Sequence, residues 1–365
     1  MTIDFIGMIA HRLASETIPA RGPIVDLDYV RRFAQAHEAA GFDRILVAHH
    51  SDAPDGAQIA AYAASVTQRL GLMIAHRPGF VAPTYAARNF ATLDHVTGGR
   101  VAVHIISGGD DAEQRRDGDY LTHDERYERT DEFVTLLRRT WTSEKPFDFS
   151  GKYYRVDGAF SQVKPLQTPS IPVYFGGSSD AAVEIAGKHA DIYALWGETL
   201  AQVRETVTRV RAAAAKHGRQ VRFSLSLRPI LAGTEEAAWK RADEILERIR
   251  AVRAEAGLGA ADLKPANTGS QRLLAAAAQG ARLDKRLWTA AAAATGARGN
   301  STSLVGTPEQ VAEGLLDYFD LGVTTFLIRG FDPLEDAIDY GRELIPLTRR
   351  LAADRARSRG VSAAE

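Results

Sequence analysis

The chain has no cysteine and only three methionines in its 365 residues. Without a thiol it can form no disulfide, offer no thiolate nucleophile and hold no cysteine-ligated metal. That absence also fits a reducing compartment. Long apolar runs are missing as well: no uncharged stretch approaches the roughly 18 residues that a spanning helix needs. A surplus of one charge is missing, since 45 Lys and Arg stand against 46 Asp and Glu. With no basic tract either, a nucleic-acid or membrane-surface role has no electrostatic support. The opening MTIDFIGMIAHRLAS has no basic leader, and His11–Arg12 break its apolar run early, so it does not read as a signal peptide. What remains is an ordinary globular balance, 45% hydrophobic and 25% charged, with material for a large core. The expectation is a cytoplasmic α/β protein.

Short apolar runs alternate with segments of helical period, the pattern of βα units. Strands are expected at Ile3–Ile9, Arg44–Val47, Leu70–Ala75, Val101–Ile106, Val173–Gly176, Ile192–Leu195, Phe223–Pro229 and Thr325–Ile328. Helices are expected at Asp28–Ala40, Gly56–Thr67, Thr84–Thr97, Arg126–Trp141, Ser179–His189, Leu200–His217, Glu235–Ala256 and Leu334–Ala353. Eight strands, each followed by a helix, predict an α/β fold of the (β/α)8 TIM-barrel type. The alternative, an open doubly wound sheet, calls for a glycine-rich turn after the first strand, where this chain reads MIAHRLAS. Residues 1–355 are expected to form one domain with two insertions. One, after the fourth helix (143–171), reads as a hairpin. The other, before the eighth strand (257–303), is alanine-rich and reads as an active-site lid. Residues 356–365 read as a flexible tail.

In such a barrel the chemistry collects where strands run into βα loops. At those ends stand His11, His49–His50, His76–Arg77, Ser107–Gly108, Gly176–Ser179, Trp196–Gly197, Arg228–Pro229 and Arg329–Phe331. Gly177, Ser178 and Ser179 open a helix, where backbone N–H groups and serine hydroxyls suit a phosphate; a plain serine-capped turn is the other reading. Trp196 offers a flat apolar wall or simply core packing. Arg228 and Arg298 suit bidentate recognition of an anion or an ordinary surface position. Adjacent His49 and His50 point opposite ways on a strand end, and no HxH or HExxH spacing exists, so no metal site is expected.

Several long stretches carry a resemblance: VTQRLGLMIAHRPG (66–79), PTYAARNFATLDHVTGGRVAVHIISGG (83–109), HDERYERTDEF (123–133), VYFGGSSDAA (173–182) and ADIYALWGE (190–198). Through them the chain resembles the bacterial luciferase-like flavin monooxygenases, and within these the FMNH2-dependent alkanesulfonate monooxygenases. The resemblance implies a barrel that receives reduced FMN from a separate NAD(P)H-dependent flavin reductase. It implies oxygenation of a small molecule by O2 through a flavin peroxide, and assembly as a homodimer or homotetramer. It assigns cofactor roles to His11, Arg77, Ser107, Tyr127, Gly177, Ser178, Ser179 and Trp196, and catalytic roles to His11, Arg228 and Arg298.

The substrate side departs from the alkanesulfonate pattern. Ala53 stands where that branch has cysteine, Ser226 and Arg228 replace its Arg-x-His pair, and Phe331 replaces a tyrosine. Arg298 keeps the arginine of the lid loop. A sulfonate or sulfone, releasing sulfite or sulfinate, is the first expectation for the substrate. Other small molecules, F420-dependent hydride transfer, and a flavin-binding protein without turnover are the alternatives.

Overall fold

The strands form from short runs of branched and aromatic residues, and the helices from the amphipathic segments between them. The computed structural model describes residues 2–259, 265 and 267–362. In chain order, β1 (Asp4–Ile9), α1 (Leu27–Ala39), β2 (Arg44–Val47), α2 (Gly56–Ser65), β3 (Gly71–His76), α3 (Pro83–Thr97) and β4 (Val101–Ile105) come first. Then follow α4 (Asp111–Arg116), α5 (His123–Thr142), β5 (Phe147–Ser150), β6 (Arg155–Ala159), β7 (Val173–Gly176), α6 (Asp180–His189), β8 (Ile192–Trp196) and α7 (Leu200–Ala215). Next are β9 (Arg222–Leu231), α8 (Glu235–Glu255), α9 (Thr268–Gln279), β10 (Arg282–Leu283), β11 (Leu287–Trp288) and α10 (Ala290–Thr295). The chain closes with β12 (Ser303–Gly306), α11 (Pro308–Phe319), β13 (Val323–Ile328), α12 (Pro333–Asp339) and α13 (Ile345–Ser362).

The parallel strands follow the order β9-β13-β1-β2-β3-β4-β7-β8, and β9 also pairs with β8. That ring is the (β/α)8 barrel expected. Two strands, β2 and β7, have the expected bounds, and the other six differ by one or two residues.

The helices differ more, each for a local reason. α5 starts three residues early because Thr122 and Glu125 close a capping box, an arrangement that contributes about 1 kcal/mol. α11 was not expected at all, and neither was β12 before it; α11 opens on the same device, Thr307 with Gln310, and has a proline in its first turn. The segment expected as one helix, Leu334–Ala353, is interrupted by a π-helical stretch at Tyr340–Leu344. Pro346 lacks the N–H that would continue the α ladder, which accounts for the widening.

Residues 143–171 hold the expected hairpin, an antiparallel pair of β5 and β6. Glu132 of α5 anchors it, accepting backbone N–H groups from Lys152, Tyr153 and Tyr154 at 2.7, 3.0 and 3.0 Å. The second insertion, 257–303, contains α9, β10, β11 and α10, while its residues 260–264 and 266 lie outside the described residues. Where a tail was expected, α13 continues through Ser362, and 363–365 lie outside the described residues.

The chain divides into two compact units. The first comprises Met1–Ile45, Ala194–Thr208 and Arg222–Glu365. In it β13 lies between β1 and β9, and α8 buries Ala238, Ala242, Ile245 and Ile249 against Ile230, Val305, Trp288 and Phe331. The second comprises Leu46–Tyr193 and Arg209–Val221. Its ladder β3-β4-β7 is apolar on both faces, with Leu72, Val101, Val103, Ile105, Val173 and Phe175 fully buried, as a strand covered on both sides should be.

Candidate active site

In the second unit the chemistry-bearing residues stand at the C-terminal ends of β3, β4 and β7. Arg77, one residue past β3, is only 4% exposed. Its Nη2 donates to Glu113 Oε2 at 3.0 Å, while its Nε and Nη1 have no hydrogen-bond partner among the described residues. Glu113, on α4, also accepts the Ser51 N–H at 3.1 Å and lies 3.7 Å from His50 Nδ1. Burial pushes this carboxyl up, but His50, Arg77 and Ser51 together outweigh burial and hold it at about 2. It is therefore ionised throughout the neutral range. His49 stacks on Phe80, and burial, then Arg77, push its pKa down. Arg77 is thus half-neutralised on one edge and bare on the other. Buried donors of this kind cost free energy unless an acceptor arrives.

Ser107, just past β4, is buried and shares a 3.0 Å hydrogen bond with Thr130 of α5. The Gly176–Ser179 turn leads into α6, whose N-cap is Ser179, its Oγ accepting the Ala182 N–H at 3.3 Å. Tyr127 hydrogen-bonds Ser179, and its burial raises the phenol pKa, so the hydroxyl stays protonated and available as a donor. Gly177 has φ of 144°, and a Cβ there would lie 2.8 Å from Tyr127 Oη and 2.7 Å from Ala182 Cβ. Only glycine fits. The cradle of Gly177, Ser178, Ser179 and Tyr127 at a helix N-terminus has the chemistry of a phosphate seat. A separate groove of about 460 Å³ beside Tyr127 is lined by Asp124, Glu128, Asp131 and Glu132 among others. An anion would be repelled there, and Glu128 and Asp131 already pair with Lys152 and with Lys188 and His189.

In the first unit Arg228 of β9 is 1% exposed, and both of its terminal nitrogens are engaged, while its Nε has no hydrogen-bond partner among the described residues. Its Nη1 lies 2.8 Å from Glu16 Oε2, its Nη2 donates to the Gly330 carbonyl at 2.8 Å, and its guanidinium lies 3.5 Å from the centre of the Phe331 ring. Glu16 is shared with Arg329 at 2.5 Å. Burial raises Glu16, but Arg228 and Arg329 overcome it and hold the group at about 2. Burial lowers Arg228 to about 10, which still leaves it charged at neutral pH. The candidate anion clamp at Arg228 stands here in an internal ion pair, stacked on the residue that replaces tyrosine. Arg298 is exposed, one residue beyond Ala297 at φ 52°. His11 is half-buried, and its carbonyl accepts the Asp26 N–H at 2.8 Å.

Trp196 ends β8, and Gly197 follows it under tight constraint. A Cβ at Gly197 would fall 2.4 Å from both Leu227 Cδ2 and Thr302 Oγ1. Trp196 itself packs with Leu273, Ala292 and Ala297 of the second insertion.

The residues expected from sequence therefore form two local sets. Arg77, Ser107, Tyr127 and Gly177–Ser179 fall in the second unit; His11, Trp196, Arg228 and Arg298 fall in the first. Glu113 and Glu16 are the neighbours of these residues that the sequence did not point to, and Arg329 was placed at a strand end without its partner. Glu113 sits in a run of acids and bases (DDAEQRR) with no period to mark it, and Glu16 pairs with residues more than 200 positions away. Among the described residues no three His, Asp or Glu side chains gather as a metal-ligand set.

The luciferase-like monooxygenase family model matches residues 3–325. Among solved structures, the chain is similar to the riboflavin lyase RcaE with modified FMN and riboflavin, at 22% identity and a TM-score of 0.80, covering 96% of this chain and 92% of that one. It is similar to the EDTA monooxygenase EmoA from Chelativorans sp. BNC1, at 21% identity and a TM-score of 0.74, with 96% and 95% covered. An F420-dependent secondary alcohol dehydrogenase with an F420-acetone adduct shares the fold at 19% identity and a TM-score of 0.69, with 96% and 100% covered. At these identities the structures speak for the fold, and the family match speaks for the chain: it belongs to the luciferase-like monooxygenases.

Proposed function

We propose that the protein is an FMNH2-dependent two-component monooxygenase that uses O2 to oxygenate a small organosulfur compound, and that a separate NAD(P)H-dependent reductase supplies its reduced FMN. The observation that carries the cofactor half is the Gly177–Ser179 cradle with the Tyr127 hydroxyl, joined by the bare guanidinium edge of Arg77. FMN fits these residues: a phosphate suits the helix N-terminus, and an electronegative ring edge suits buried N–H donors. When bound, reduced FMN supplies the two electrons with which O2 is activated.

The chain's own residues have narrower tasks. Ser178, Ser179 and Tyr127 bind the phosphate. Arg77, fixed by Glu113, presents Nε and Nη1 to an acceptor, and Ser107, held by Thr130, adds a hydroxyl. Trp196 and His11 keep the flavin-side roles that the sequence resemblance gives them. Arg298, exposed in its loop, keeps the substrate-side role. Because Arg228 is already committed to Glu16, a neutral sulfone suits the first unit better than a fully charged sulfonate.

The test is oxygen consumption with purified protein, FMN, NADH, a generic flavin reductase and catalase, across sulfones and sulfonates, with sulfite and sulfinate assayed in parallel. Substrate-dependent oxygen uptake with sulfinate or sulfite release is expected. Tight FMN binding without either product from any compound overturns the organosulfur assignment and favours a nitrogen- or carbonyl-containing substrate. Turnover with F420 that needs no oxygen overturns the oxygenase assignment itself.

A further inference from the structure

We propose that Arg272 and Glu198 are positioning residues that fasten α9 to the turn after β8 and thereby set the Trp196 ring and the Arg298 loop together. The proposal rests on the reading of Trp196 as a flavin-side wall and names what holds that wall in place.

The turn after β8 is short and taut. The Glu198 N–H donates to the Trp196 carbonyl at 2.8 Å, so only Gly197 separates the ring-bearing residue from the carboxylate-bearing one. Glu198 is 4% exposed. Its carboxylate takes a two-pronged grip from Arg272, with Nε to Oε1 at 2.7 Å and Nη2 to Oε2 at 2.9 Å. The planar fork fixes direction as well as distance, which a lysine at that position could not do. The Glu198 carbonyl accepts the Tyr318 hydroxyl at 2.7 Å, and the Gly197 carbonyl accepts Thr302 Oγ1 at 2.6 Å. Any displacement of Glu198 therefore passes directly into Trp196.

Along α9, neighbouring residues complete the link. Gly269 faces the indole so closely that a Cβ there would lie 2.9 Å from Cζ3 of Trp196. Ser270, fully buried, donates to the Ala297 carbonyl at 2.8 Å, one residue before Arg298. Leu273 packs with Ala292 and Ala297 against Trp196. One face of one helix thus touches the proposed flavin wall at residue 269, its supporting turn at 272 and the Arg298 loop at 270. A helix loosened at Arg272 releases all three contacts, because a rigid element transmits a local change to everything docked on it.

The experiment compares Arg272→Met, Arg272→Lys, Trp196→Phe and the Arg272→Met/Trp196→Phe double variant. It reads FMN affinity by fluorescence titration, and backbone hydrogen exchange without FMN. Arg272→Met is expected to weaken FMN binding by roughly tenfold and to speed exchange in both 196–199 and 297–300. Arg272→Lys, which keeps the charge and loses the fork, is expected to fall between wild type and Arg272→Met. The double variant is expected to bind FMN no more weakly than the weaker single variant, since both changes act through one ring. Unchanged exchange at either segment, or fully additive losses in FMN affinity, overturns the proposal. Should the wild-type protein not bind FMN, the function proposed above fails, and the exchange data alone decide whether α9 couples the two segments.

Discussion

Arg77 and Arg228 are both buried arginines at barrel strand ends, each paired with one glutamate, yet they do opposite things. Arg228 has Glu16, a backbone carbonyl and the Phe331 ring around it. Arg77 has Glu113 on one nitrogen, while Nε and Nη1 meet no acceptor among the described residues. Both leave Nε without a partner, but the first has both terminal nitrogens engaged, whereas the second leaves Nη1 open as well. That open terminal nitrogen is what the proposed FMN contact uses. A buried arginine, then, is a candidate for binding when a terminal nitrogen of its fork, and not merely Nε, is left without an acceptor.

The largest effect expected from breaking this contrast is on stability, at Glu16. Glu16→Ala leaves Arg228 buried beside Arg329 without a carboxylate and should cost about 3 kcal/mol in urea unfolding, against about 1 kcal/mol for Glu113→Ala, which leaves one cation unpaired rather than two neighbouring ones. The acid limb carries the same information. Glu16 titrates at about 2 when folded against an ordinary 4.5, so its contribution is full above about 4.5 and is lost as pH falls toward 2. Glu16→Gln should flatten unfolding free energy against pH in that window; an unchanged slope would show that the triad does not hold.

Next comes Gly177→Ala, which needs a left-handed backbone and a Cβ pressed onto Tyr127 Oη. It should lose about 2 kcal/mol by thermal unfolding and abolish measurable FMN binding, while Tyr127→Phe should keep the stability and bind FMN a few-fold more weakly. Third, Arg77→Met should weaken FMN by about tenfold with only a small change in midpoint, because two of the three nitrogens it removes were unsatisfied in the free protein and the third pairs with Glu113, which keeps its Ser51 and His50 contacts. A loss of stability exceeding the loss of affinity would place Arg77 in the same class as Arg228. The smallest effect concerns His49, whose pKa is pushed down by burial and then by Arg77. Removing the guanidinium should move the His49 ring titration part of the way back up, as read by NMR, whereas Arg228→Met should leave that titration in place.

Most of the barrel was legible because its signals are local. Strand runs such as Val173–Gly176 announce themselves by composition and by the glycine that ends them. β12 escaped notice because Ser303–Gly306 is four residues long and follows a glycine-rich loop without a turn signal between them. α4 escaped because a six-residue run with five polar residues carries no apolar period. The strand-end residues of the site were readable from their type and place. Their partners were not, because pairing across long sequence separations leaves no local trace, as for Glu16 with Arg228 or Glu198 with Arg272. For Arg228 that hidden partner reverses the meaning of the residue.

The attachment of the β5–β6 hairpin to Glu132 has a consequence for sequence variation. A carboxylate that grips three consecutive backbone N–H groups does not read the side chains those residues carry. Positions 152–154 can therefore take any residue but proline without losing these three bonds, although changes at 152 and 153 give up the side-chain bonds of Lys152 and Tyr153 to Glu128 of α5. Gly151 has no such freedom, since a methyl group there would meet the same carboxylate at 2.4 Å. The anchor thus asks only for an N–H at each of three positions and for no side chain at the residue just before them.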